Sequence, residues 1–98
     1  MEHSLKVNKT EVGLEGLLLF EGDMTLMQAQ EIQQALIEAI LEVDVLNIDL
    51  QGADAVDVSL LQLLCSAHRE CFLFGKTVHL QSGDNDAITQ LLESSGYN

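Results

Sequence analysis

Residues 48–64 read IDLQGADAVDVSLLQLL, and this stretch decides the fold class of the chain. Ser59 or Asp57 is the expected N-cap of the helix with which the stretch ends. A buried strand that leads through a short loop into a helix is the repeating unit of α/β proteins. Along the chain we therefore predict a strand, a loop and an apolar helix (Val45–Leu50, Gln51–Asp57 and Leu60–Phe74).

Two strands and a long helix precede this unit. The alternation in Ser4–Thr10 and the apolar run Leu14–Phe20 predict a β-hairpin with its turn near Val12-Gly13. Gly22-Asp23 is expected to end the second strand. Thr25 then serves as the N-cap of a helix that continues to about Val43, with apolar residues at three- and four-residue steps.

The residues after the second helix continue the alternation of strand and helix. Gly75 is expected at the C′ position of that helix, Lys76–Gln81 alternates as a strand, and Asp86–Ser94 reads as a short helix that Gly96 ends. The order β-β-α-β-α-β-α predicts a four-stranded mixed sheet with an antiparallel opening hairpin and the helices mainly on one face. We expect one α/β domain over residues 1–98.

The charge balance limits the classes of partner. Sixteen acidic residues stand against four Lys and Arg, for a formal net charge of −12. Nucleic acids and anionic membranes require basic patches, so neither is an expected partner, whereas a basic protein surface is compatible. Strong acidity also serves solubility alone. Met1-Glu2-His3 does not open a signal peptide and no apolar run could cross a bilayer, so we expect a cytoplasmic protein without membrane insertion.

The residue types that carry chemistry form no convincing site. His68 and Cys71 share a helix face, but structural zinc requires four ligands and no second pair has suitable spacing. Cys65 and Cys71 lie on different helix faces and are expected to stay reduced. Asp49 and Asp57 are two carboxylates without a cation or a phosphate loop beside them. We expect no enzyme, no cofactor and no metal.

Residues 48–64 resemble the centre of the STAS family, named for sulfate transporters and anti-sigma factor antagonists. In that family a strand ends in Asp-Leu, a loop with a glycine follows, and an Asp-Ser-Ser-Gly or Asp-Thr-Ser-Gly signature opens a helix. Asp49-Leu50, Gly52 and Asp57-Val58-Ser59-Leu60 take these places here. Leu17–Leu36 and residues 76–96 resemble the family's other elements, so the resemblance covers nearly the whole chain and implies the same fold.

One position departs from the family pattern. In anti-sigma factor antagonists the hydroxyl residue after the signature Asp is phosphorylated by a partner kinase, and here that position is Val58. Valine has no oxygen to accept a phosphoryl group, so the charge switch of about −1.5 to −2 that phosphorylation supplies is absent at this residue. Val58 places an apolar side chain there instead, which suits constitutive docking.

Three interpretations of this helix start remain open. The domain binds its partner without a phosphorylation switch, or Ser59 has become the phosphate acceptor through a shift of one residue. In the third interpretation Ser59 is only an N-cap and Asp57 only a loop carboxylate. The first and third are compatible with each other.

The second helix has more apolar surface than one sheet face requires. A helix that covers a sheet needs an apolar stripe about 100° wide, and this helix is apolar over more than half of its circumference. Core packing explains part of the excess. A partner, a homodimer or the neighbouring helix is the expected cover for the rest, and we favour an exposed apolar contact around Val58, Leu60 and Leu61.

The resemblance implies a regulatory module that binds an anti-sigma factor or a kinase-like partner without the usual Ser/Thr phosphorylation switch. The alternative is a cytosolic STAS subunit of an ABC-type lipid transport complex. Ser59 is the candidate phosphate acceptor if any switch remains. The expected partner-binding residues are Asp57, Val58, Ser59, Leu60 and Leu61.

Overall fold

A computed structural model describes residues 1–95 and confirms the predicted order of elements. The strands are β1 (Glu2–Thr10), β2 (Gly13–Met24), β3 (Val45–Val56) and β4 (Thr77–Gln81). The helices are α1 (Ala29–Glu42), preceded by a 3-10 turn at Leu26–Gln28, then α2 (Val58–Leu73) and α3 (Asp86–Ser95). Gly96, the expected end of the last helix, lies outside the described residues.

The four strands form one mixed sheet in the order β1-β2-β3-β4. β1 and β2 are antiparallel, whereas β3 lies parallel to both β2 and β4. Each parallel pair is connected through a helix, as the alternation of patterns in the sequence required. The predicted four-stranded mixed sheet is therefore confirmed.

Two strands are longer than the sequence predicts. β2 continues to Met24 and β3 to Val56, so the predicted loop Gln51–Asp57 is extended strand except for its last residue. Beyond a shift of register, Glu21 pairs with Gly52 and Met24 with Val56. Gly22 was expected to end the second strand and Gly52 to lie in a loop, but both lie between two register shifts of the ladder, where glycine is common.

The core lies between the sheet and the helices. Alternate residues of the two central strands are buried, among them Leu18, Phe20 and Ile48, while the residues between them are only half-buried. Side chains from all three helices, including Ile88 of α3, join the same apolar cluster. The helices therefore cover one face of the sheet, as predicted.

Gly16 shows how closely α1 approaches β2. A Cβ at this position would lie 2.8 Å from Val43 Cγ1 and 3.2 Å from Leu5 Cδ1, and both side chains pack in or against the core. The position is therefore closed to larger residues.

The end of α2 forms a Schellman motif around the predicted C′ glycine. Gly75 has a φ of 68°, its N–H donates to the Phe72 carbonyl, and the Lys76 N–H donates to the Cys71 carbonyl at 2.7 Å. The Lys76 ammonium group also donates to the carbonyl oxygen of Ile40, near the end of α1. Lys76, which comes just after the C′ glycine of α2, thus connects the two helices at this end.

Cys65 and Cys71 are both free thiols, and Cys71 lies in the core. Burial raises the pKa of the Cys71 thiol, and Glu70 adds to that rise while Lys76 opposes it. Within residues 1–95, none of the helices has the length and apolar character needed to cross a bilayer.

Candidate functional site

The start of α2 is organised by a single carboxylate. Asp57 is the N-cap residue, and its Oδ1 accepts a hydrogen bond of 2.9 Å from the Ser59 N–H. Its Oδ2 accepts a second bond of 3.0 Å from the Leu26 N–H, in the 3-10 turn before α1. The structure therefore selects Asp57 over Ser59 as the cap, and it makes that residue a link between two helix starts.

The turn that precedes α1 is fixed by its own cap. The Thr25 N–H donates to Gln28 Oε1 at 2.9 Å, and the Gln28 N–H donates to the Thr25 carbonyl at 2.9 Å. These reciprocal bonds satisfy backbone groups that a helix start leaves without partners. They also hold Leu26 and Met27 in the first turn, beside the start of α2.

Three apolar side chains are exposed at these two helix starts. Met27 is 87% exposed, Leu26 69% and Val58 59%. Met24 pairs with Val56 in the sheet and Leu26 bonds to Asp57, so the two chain segments run side by side into this region. We call Leu26, Met27 and Val58 the helix-start patch.

The surroundings of the helix-start patch are acidic. Asp23 near the end of β2 and Asp54 in β3 are exposed, and Asp23 Oδ1 accepts a bond of 3.3 Å from the Ala55 N–H. Residues 21–28 and 51–62, which build the region, contain no Lys or Arg. An apolar centre with an acidic rim favours a partner surface that is apolar and basic.

The residues expected from sequence are not all at the surface. Val58 is exposed, while Asp57, Ser59 and Leu61 are half-buried. Leu60 is 1% exposed, so its assignment to the contact surface is wrong. The reason is helical spacing, because Leu60 begins the stripe that α2 buries against the sheet, followed by Leu64, Ala67 and Cys71.

Leu26 and Met27 were missed by the sequence analysis. Leu26 precedes Ala29 by three residues, a spacing that continues the apolar stripe of α1 and favours burial. The 3-10 turn changes the angular step from residue to residue, so the stripe does not extend into it. The usable signal was weak: two large apolar residues directly after a threonine cap.

The acidic, His and Cys side chains that the sequence brought into question contact the backbone or are buried. Both oxygens of Asp57 accept backbone hydrogen bonds, and Asp49 Oδ1 accepts one from the Gln51 N–H. His68 Nδ1 lies 3.1 Å from the Leu64 carbonyl oxygen, and Cys71 of the same helix is buried. Residues 1–95 bring together no group of three or more His, Cys, Asp or Glu side chains that could hold a metal ion.

Comparison of the sequence with protein families gives one match that spans most of the chain. A family described as "Mlab, STAS domain" matches residues 8–98. No curated protein sequence shows significant similarity to the chain.

Solved structures match the same fold at low sequence identity. The Bacillus cell fate determinant SpoIIAA in its phosphorylated form is 14% identical with a TM-score of 0.68, covering 95% of this chain and 84% of SpoIIAA. An antisigma-factor antagonist STAS domain from Rhodobacter sphaeroides is 22% identical with a TM-score of 0.62, covering 82% and 86%. Mglu is 16% identical with a TM-score of 0.65, and the match covers 82% of this chain but only 20% of Mglu.

Proposed function

Because the chain belongs to the STAS domain family, we propose that it is a regulatory module that acts by binding another protein. The partner we propose is an anti-sigma factor or a related kinase-like regulator. The proposal includes no catalytic step, no cofactor and no metal, and it places the module in the cytoplasm.

The observation that carries the proposal is the exposed Val58 beside Leu26 and Met27. SpoIIAA, an anti-sigma factor antagonist with this fold, has been solved in phosphorylated and unphosphorylated forms. By the resemblance of the signature, the family's phosphate acceptor corresponds to Val58. An apolar side chain there keeps the contact surface in one charge state, so we propose docking without a phosphorylation switch.

The geometry of Ser59 supports the same proposal. Its N–H belongs to the cap of α2 and its side chain is half-buried. A phosphate on Ser59 would stand on the first helical turn, next to the carboxylate of Asp57 that holds this turn. Because the Ser59 side chain is half-buried, a kinase reaches it less easily than it would reach the exposed position 58.

The test compares two variants of the chain with a matched control. Val58→Asp places a charge in the helix-start patch. Val12→Asp places the same charge on another exposed valine, in the turn between β1 and β2. This turn and the helix-start patch lie at opposite ends of β2, roughly 35 Å apart at about 3.3 Å per residue. Each tagged protein is used to capture partners from the native host, and the captured protein is identified, purified and titrated.

We expect a GHKL-type kinase or anti-sigma factor to bind the wild type and Val12→Asp equally. Val58→Asp should bind at least about tenfold more weakly, since one disrupted central contact costs about 1.4 kcal/mol or more. If Val58→Asp bound the partner as tightly as the wild type does, the helix-start patch would not be the interface. Capture of an ABC transporter component would instead favour the alternative transport role, and phosphate detected on Ser59 by mass spectrometry would contradict unswitched docking.

A further inference from the structure

The outer edge of β4 has no strand beside it. β4 is the last strand of the sheet, and among residues 1–95 only β3 pairs with it. The Thr77 N–H donates to the Asp44 carbonyl at 3.0 Å, on the side of β3. Because the direction of the backbone groups alternates along a strand, the N–H and C=O groups of Val78 and Leu80 are directed to the open side. β4 therefore offers two donors and two acceptors to a further strand.

The two edges of the sheet differ in charge. β1, at the other edge, carries Glu2, Lys6 and Lys9. Charged side chains on an edge strand, Lys above all, oppose pairing with another chain. β4 reads Thr-Val-His-Leu-Gln and has no Asp, Glu, Lys or Arg. β4 is therefore the edge that lacks this protection against strand addition.

The side chains of β4 divide between the two faces of the sheet. Val78 and Leu80 are half-buried and pack against the core. Thr77, His79 and Gln81 are exposed on the opposite face, which no helix covers. A strand added at this edge must therefore be short, apolar on the helix side and polar on the other side. A second copy of β4 meets these requirements.

An antiparallel second β4 satisfies the whole edge in one register. With a two-fold axis at His79, Val78 lies opposite Leu80 of the second copy, and each such pair exchanges two N–H···O bonds. The two His79 residues then face each other in the position without hydrogen bonds, where side chains lie closest. The Lys76 end of each strand meets the Asp84 end of the other, so the charges beside the paired strands are complementary.

We propose that the chain forms a two-fold dimer in which the β4 strands of two copies pair antiparallel and join the two sheets into one. The strand has five residues, so the interface is small and the dimer exchanges with the monomer. The formal charge of −12 on each copy opposes association from outside the paired strands, and salt therefore strengthens the dimer. The contact uses no residue of the helix-start patch and does not depend on the proposed function.

Hydrogen exchange of the isotope-labelled chain tests the contact directly. Sedimentation at rising protein concentration should show a dimer. Once the dimer predominates, the amides of Val78 and Leu80 should exchange at least about tenfold more slowly, because they are bonded only in the dimer. The amide of His79 is the matched control, since it is directed to β3 and should be protected at every concentration.

A charge exchange at His79 tests the two-fold axis. His79→Lys and His79→Asp each place like charges opposite each other, and each should weaken dimerisation at least about tenfold. An equimolar mixture of the two variants pairs Lys with Asp and should recover the dimer. Ser4→Lys adds the same charge at an exposed residue of β1 and should leave the dimer unchanged. His79 is exposed, so both variants should fold, and circular dichroism checks that they do.

Four results would overturn the proposal. One is a wild-type chain that stays monomeric up to millimolar concentration. A dimer that survives both His79 variants, or one that protects the amides of β1 in place of those of Val78 and Leu80, would place the interface elsewhere. A mixture that stays monomeric would show that the two His79 residues do not face each other. Protection of Val78 and Leu80 by a different protein, with no dimer, would assign the edge to that protein.

Discussion

The side chain of Asp57 accepts backbone hydrogen bonds from two elements, Ser59 in α2 and Leu26 before α1. One oxygen completes a helix cap, and the other connects the two helix starts that present the exposed apolar residues. A serine cap, the alternative that the sequence left open, has a single side-chain oxygen in place of two. The carboxylate is therefore suited to a place where two amides must be satisfied together.

Replacing Asp57 tests this double role. Asp57→Ala should lower the free energy of unfolding by about 2 kcal/mol, since a lost cap costs about 1 kcal/mol and a second lost hydrogen bond about as much. Asp57→Asn keeps one acceptor oxygen and should lose about half of that. Urea denaturation followed by circular dichroism measures the difference. Asp54→Ala, at an exposed acid of β3, is the control, and an equal loss there would argue against the double role.

The site could be predicted at the residue scale only where helical spacing applies. Val58 directly follows the signature aspartate and comes before the first buried residue of α2. Its position in the sequence was therefore enough to predict that it lies at the surface. Leu60 was misplaced because the helix begins at Val58, two residues before the predicted start at Leu60. Leu26 was missed because a 3-10 turn, which has no sequence signature of its own here, rotates it away from the stripe of α1.

At the scale of elements, the contact between β2 and the end of α1 depends on the absence of a side chain at Gly16. Gly16→Ala should lower the free energy of unfolding by about 1–3 kcal/mol, because its Cβ would overlap Val43, a β-branched residue with little freedom to move. Val43→Ala in the same chain should restore part of that loss, although alone it costs about 2 kcal/mol. Chemical denaturation of the four proteins gives the coupling between the two positions.

Gly52 is the matched control for this prediction. A Cβ at Gly52 would approach Glu21 Cγ at 2.9 Å, but Glu21 is exposed and its side chain can turn away. Gly52→Ala should therefore cost less than Gly16→Ala. If the changes in the free energy of unfolding caused by Gly16→Ala and Val43→Ala were strictly additive, the two positions would not be in contact.

The elements themselves were predictable because each carries its own period. Alternation marks β1 and β4, and the three- and four-residue stripe marks α1. The extra length of β2 and β3 was not predictable in the same way. Gln51–Val56 has no alternation of its own, and it becomes strand only because the end of β2 lies beside it and pairs with it.

At the scale of the whole molecule, the surplus of negative charge is not balanced by ion pairs. Within residues 1–95, no Lys or Arg nitrogen lies within 4.0 Å of a carboxylate oxygen, and His3 Nδ1 lies 3.8 Å from Glu31 Oε2. Added salt therefore acts mainly by screening the repulsion between carboxylates, because the folded chain has few attractive ion pairs that salt could weaken.

The thermal stability should rise with ionic strength. Raising sodium chloride from about 0.01 M to about 0.15 M shortens the screening length from about 30 Å to about 8 Å, and the melting temperature should increase by a few degrees. Calorimetry measures the change. A variant with Glu38→Gln and Glu42→Gln carries less charge and should show a smaller increase, and a melting temperature that falls with salt would contradict the repulsion argument.

The bonds of Asp57 and Lys76 stand at opposite ends of the same helix pair. Because α1 and α2 are joined at both ends, the distance and angle between them are fixed in the folded chain. A partner that docks at the helix-start patch therefore meets a preorganised surface, and the entropy lost on assembly falls mainly on that partner.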